Sequence, residues 1–187
     1  MSYLQQSFLG IFNNQADSPR DIMQKRSFTL GLLGYVAGAF GSVFYGNILN
    51  GSTFGHFLWQ MIISLVLFVP FCFFIAVVTH VFLDLFSKNG NPTGTFAIIG
   101  ISEFAKILFI PLGLITAAVG GGSGLLSLGW LAVIILQFLF LLRLLGQAYE
   151  MPKGLVFVSF MFTFVITCAT FFLLILAPIL MIISAVI

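Results

Sequence analysis

Residues 56–86 read HFLWQMIISLVLFVPFCFFIAVVTHVFLDLF, a run whose one acidic residue is Asp84 and which has no lysine or arginine. A helix crosses the hydrocarbon core in roughly 20 residues at ~1.5 Å each, so this run is long enough to span, with length left to tilt or project. Its apolar residues are continuous, not alternating, which selects a helix over the closed barrel that lipid also permits. Working outward, four further runs have the same character: Phe28–Leu49, Thr95–Val119, Gly124–Tyr149 and Gly154–Ile187. The predicted fold class is therefore all-α, a polytopic integral membrane protein with five transmembrane helices.

Composition supports this. Hydrophobic residues make up 60% and charged residues 6% of the 187, where soluble domains carry about 25% charged. Two regions are expected: a short N-terminal segment, 1–27, and a five-helix membrane domain, 28–187. A net charge of +2 is too small for nucleic-acid binding. Cys72 and Cys168 both lie in apolar runs and are expected as small hydrophobes, not as a disulfide or metal site. The first 16 residues carry no charged side chain, so no cleaved signal peptide is expected and span one serves as the targeting signal.

The basic residues predict the orientation. Arg20, Lys25 and Arg26 precede span one, Lys88 lies between spans two and three, and Arg143 and Lys153 bracket the gap between four and five. With five crossings these six fall on one side, which the positive-inside rule makes cytoplasmic. The N-terminus is then cytoplasmic and the C-terminus outside. Lys106, inside span three, is the exception.

Local signals refine the spans. Leu4, Phe8, Ile11 and Phe12 share a helical face, predicting either a short amphipathic helix on the membrane surface or a frayed tail. Ser18-Pro19-Arg20-Asp21 is a helix start, with Ser18 as N-cap and Pro19 first. Gly31, Gly34, Gly38 and Gly41 strip one face of span one of side chains, for close packing within the chain or in a dimer. Pro70, Pro111 and Pro178 interrupt spans two, three and five and favour kinks. Pro92 and Pro152 suit helix starts. Residues 120–124, GGGSG, form a flexible external turn.

Five ionisable residues stand out as a candidate intramembrane polar cluster: His80, Asp84, Glu103, Lys106 and Arg143. Glu103 and Lys106 are three apart and share a face, with Lys106 ~16 Å into span three, near the bilayer midplane. A lone charge there costs several kcal/mol, so both should face the bundle. Three roles remain open: a structural ion pair, a contact for a partner or lipid headgroup, and an ion or proton pathway. His80 and Asp84 also share a face, and Asp84 is placed to meet Arg143. Metal binding is not expected: Glu103 is the only nearby candidate for a third ligand beside His80 and Asp84, and a set without Cys or a second His is weak.

Catalytic signatures fail. Gly121-Gly122-Ser123-Gly124 matches the short string of rhomboid-type proteases, which need a later histidine, yet His56 and His80 both come earlier. There is no H-E-x-x-H, P-loop or aspartate dyad. No enzyme activity and no cofactor are expected.

Several stretches resemble the Yip (Ypt/Rab-interacting protein) domain family, in particular its compact prokaryotic members. They are Gly90-Asn91-Pro92-Thr93-Gly94-Thr95-Phe96 after span two, Phe104-Ala105 and Ile110-Pro111-Leu112 in span three, and Leu128-Gly129-Trp130-Leu131 opening span four, with Ser18-Pro19-Arg20 before span one. The resemblance covers most of the chain. It implies a five-span bundle with a cytoplasmic N-terminus, in a prokaryotic plasma membrane, acting as a non-enzymatic interaction or organising factor. Eukaryotic relatives are associated with Rab GTPases and membrane shaping. A short segment, 1–27, is expected in place of their long N-terminal region, and Glu103 and Lys106 depart from the apolar third span of the family. Expected partners are the bilayer, a membrane or cytoplasmic protein and a second copy of the chain. The competing expectation is a small transporter, channel subunit or lipid-translocating protein, since broken helices and midplane charges also build transport sites.

Overall fold

The computed structural model describes residues 17–25, 28–48, 53–86 and 90–186. Among them the chain is all-helical. A lead-in helix α1 (Asp17–Lys25) is followed by five helices or helix groups long and apolar enough to cross a membrane. Span one is α2 (Phe28–Asn47) and span two is α3 (Phe54–Asp84). Span three is α4 (Pro92–Ser102), a 3-10 segment (Glu103–Leu108) and α5 (Phe109–Ala118). Spans four and five are α6 (Ser123–Ala148) and α7 (Lys153–Val186). These limits fall within three residues of those expected from hydropathy. The predicted surface helix at 2–12, Arg26 and Lys88 lie outside the described residues.

Span three is the hub. It packs against spans one, two and four and against α1, whereas span five packs on spans two and four. Spans one and three are each 44% buried over their most apolar stretch, against 11% for span two. Large apolar side chains such as Trp59, Leu67, Phe164 and Phe172 cover the outside, as suits a surface solvated by acyl chains. A second, smaller core of Tyr45, Phe109 and Val133 closes the far end, where the Tyr45 hydroxyl donates to the Leu126 carbonyl at 2.7 Å.

The prolines act unequally. Spans two and five continue as α-helix through Pro70 and Pro178, whereas span three changes to 3-10 winding for the six residues before α5. Pro111 explains the change: its ring crowds the carbonyl four residues back and offers no N–H to it. It is also the third residue of α5, inside the first turn, where a missing N–H loses no intrahelical bond. At the other proline sites, Pro92 opens α4 behind an Asn91 cap whose Oδ1 accepts from Gly94 N at 2.7 Å. Pro152 immediately precedes α7. The lead-in helix is described from Asp17, so Ser18 falls within its first turn and not at the expected N-cap.

Candidate functional site

Span one's glycine stripe and span three's ion pair, noted separately in the sequence, form a single construction. A Cβ on Gly31 would lie 2.6 Å from Ala97 Cα, and one on Gly34 would collide with the Gly100 carbonyl. On Gly38 it would lie 2.7 Å from Glu103 Oε2, and on Gly41 it would strike the Lys106 carbonyl. The stripe therefore packs within the chain, against residues 97, 100, 103 and 106. Residues 97 and 100 lie in α4, and 103 and 106 in the 3-10 segment, where positions i and i+3 eclipse. From Glu103 on the tighter winding lengthens the rise to ~2.0 Å per residue, so six steps at ~1.5 Å and three at ~2.0 Å keep pace with ten steps of span one at ~1.5 Å each. The slot left by the absent Gly38 side chain receives the Glu103 carboxylate.

Inside that slot the charges are matched. Lys106 Nζ lies 2.6 Å from Glu103 Oε2, with side-chain exposures of 13% and 3%. The other oxygen, Oε1, accepts from Gln137 Nε2 of span four at 2.6 Å. The ammonium also sits 4.8 Å from the Phe68 ring centroid of span two, a cation–π contact strengthened by desolvation. Four spans thus converge on this pair.

A second polar node lies about 12 Å away, eight helical residues back along span three. Tyr149, at the end of span four, is fully buried. Its hydroxyl is 2.7 Å from Thr95 Oγ1 and 2.8 Å from His80 Nδ1. Thr95 Oγ1 donates to the Asn91 carbonyl at 3.0 Å. With that terminal acceptor in place, the protons run one way: His80 Nδ1–H to Tyr149, Tyr149 to Thr95, Thr95 to Asn91. Asn91 Nδ2 in turn donates to the Met23 carbonyl of α1 at 2.7 Å. Gly90 and Gly94 make room: a Cβ on the first would strike the Tyr149 ring, and on the second the Met23 backbone.

The five expected ionisable residues are therefore spread over two levels and not gathered into one cluster. Glu103 and Lys106 occupy the interior. His80 joins the Tyr149 node, with Asp84 exposed one turn further along span two. Arg143 is half-buried in a recess with Gly146, Gln147, Met151 and Lys153. Gln137, Tyr149 and Asn91 were missed by sequence reasoning. Gln137 carried a signal, as an amide set among the apolar residues of span four, and so did Asn91, as a capping residue before Pro92. Among the described residues no group of three metal-ligating side chains comes together.

Compared with known protein families, with curated proteins and with solved structures, the chain matches none.

Proposed function

We propose that this chain is a non-enzymatic, multi-pass membrane protein that acts as an interaction or organising factor, of the Yip type that its motifs resemble. The observation that carries the reading is the closure of the Glu103–Lys106 pair. The two charges lie 2.6 Å apart against Gly38, with Gln137 donating to the other carboxylate oxygen. A transport site needs its midplane charges available to a passing ligand. We read their use as joining span three to span four, packed against Gly38 of span one. The surfaces left for partners are the connections at the basic end, which holds Arg20, Arg143 and Lys153. By the positive-inside rule that end is cytoplasmic and the C-terminus lies outside; the resemblance to compact prokaryotic Yip members is what supports a prokaryotic plasma membrane as the host.

Mild solubilisation and pull-down of the full chain should recover a reproducible protein partner. Proteoliposomes should show no ion flux or lipid exchange above empty vesicles. A wild-type flux that Lys106→Met abolishes would overturn the reading. It would establish the second one, a small transporter or lipid-translocating protein, which the 3-10 break in mid-span favours, since such breaks often mark hinges. Orientation is checked by an impermeant thiol reagent acting on a cysteine placed at Ile187 in intact cells.

A further inference from the structure

The turn between spans four and five is folded in an uncommon way. Glu150 adopts φ 57°, the left-handed region that disfavours any residue with a Cβ. It follows the cap of α6, where glycine is usual, and the Met151 amide donates to the Gly146 carbonyl at 2.9 Å, closing a Schellman-type turn. A Cβ on Gly146 would lie 3.1 Å from the Met151 carbonyl oxygen, so the turn lies tightly on α6.

This folded turn borders a recess of about 450 Å3 lined by Arg143, Gly146, Gln147, Met151 and Lys153. Two cations from two different spans face it. Lys153 is exposed at the first residue of α7, so the positive end of that helix adds to the field. A Cβ on Gly154 would meet nothing within 4 Å, which leaves space beside the lysine. The carboxylate of the turn itself, Glu150, is engaged by Arg20 at 3.2 Å. The recess lies where the apolar helices stop, between Ala148 and Lys153, so a bilayer crossed by these two helices would set its headgroup layer beside it.

We propose that this recess binds a phosphate group carried by the headgroup of an anionic phospholipid. Arg143 supplies a planar fork of donors and Lys153 a point charge, the pairing that suits a phosphate better than a single carboxylate. The proposal requires only that spans four and five cross a bilayer, and it stands apart from the reading of the interior ion pair.

The test uses the full chain in neutral detergent, with bound lipid counted by native mass spectrometry after addition of phosphatidylglycerol, phosphatidylcholine or inorganic phosphate. Wild type should retain phosphatidylglycerol about tenfold better than phosphatidylcholine, and Lys153→Gln should remove about tenfold of that affinity, as one charge-assisted contact is worth about an order of magnitude. Lys153→Arg should retain it. Arg143→Gln should weaken it too, and Lys153→Gln, at an exposed site, keeps the test valid if the arginine variant misfolds. Phosphatidylglycerol that resists competition by inorganic phosphate supports the lipid as the source. Displacement at equal concentration supports the phosphate site but overturns the lipid assignment. Equal retention of both lipids by wild type, or unchanged retention by both neutral variants, overturns the proposal.

Discussion

The seam between spans one and three and the seam between spans two and five solve the same problem by opposite means. In the first, backbone meets backbone: Gly34 faces the Gly100 carbonyl, Gly100 faces Gly31, and no side chain intervenes. In the second, large rings stand between the helices, with Phe71 5.1 Å from Phe171 and Phe74 6.3 Å from it. These rings line a groove of about 700 Å3 together with Phe68, Pro70 and Leu174. The buried face of span five carries Ser159, Thr163 and Thr167, and the hydroxyls of Ser159 and Thr167 have no hydrogen-bond partner among the described residues. Lipid is as apolar as leucine, so association in a bilayer rests on close packing and polar contacts, not on hydrophobic burial. The first seam has both: glycine packing along its length and a buried Tyr35 hydroxyl that donates to the Phe96 carbonyl at 3.0 Å. The second leaves a groove that acyl chains can fill, and should be the looser of the two.

That contrast can be broken at several points, each read as a change in unfolding free energy by steric-trap or detergent titration. The largest effect is expected for Glu103→Leu, which strands Lys106 without its counter-ion in the tight seam and should destabilise by about 3–5 kcal/mol. Adding Lys106→Met should return most of that loss. If the double variant is as unstable as the single one, Glu103 matters for more than its charge pair. Next comes Gly34→Ala, whose new methyl meets backbone that cannot move aside; a cost of about 1–3 kcal/mol is expected. Gly46→Ala is the control in the same helix, with nothing within 4 Å, and should gain up to about 1 kcal/mol of helix propensity. In the looser seam, a double-mutant cycle on Phe71 and Phe171 should yield a coupling of only about 1 kcal/mol. Smallest is Thr167→Val, which exchanges an unpartnered buried hydroxyl for a methyl and should shift stability by less than about 0.5 kcal/mol. A large loss there would show that the hydroxyl does have a partner, and that the two seams are less different than their geometry indicates.

Much of the fold was legible because membrane insertion imposes a length and a composition on each span. The five runs, the glycine stripe and the shared face of Glu103 and Lys106 all follow from periodicity and burial cost, and each has a counterpart in the structure. The candidate site was legible only in part. His80, Asp84 and Arg143 looked like members of one group because depth along a helix is easy to count, whereas rotation about its axis relative to other helices is not. Tyr149 was invisible for a related reason. A tyrosine at the end of an apolar run is equally compatible with the headgroup layer, and only the approach of spans two and three makes it the centre of a hydrogen-bonded chain.

The sequence by itself determined the number of spans, their helical nature, and the need for Glu103 and Lys106 to avoid lipid, because those follow from the energy of placing backbone amides and charges in hydrocarbon. Only the packed bundle shows that Gly38 opens the slot for Glu103, that Gln137 and Phe68 complete the enclosure, and that 3-10 winding over 103–108 brings residues 103 and 106 into line with the stripe. Those outcomes depend on how helices rotate and slide against one another, and one-dimensional spacing leaves that freedom open.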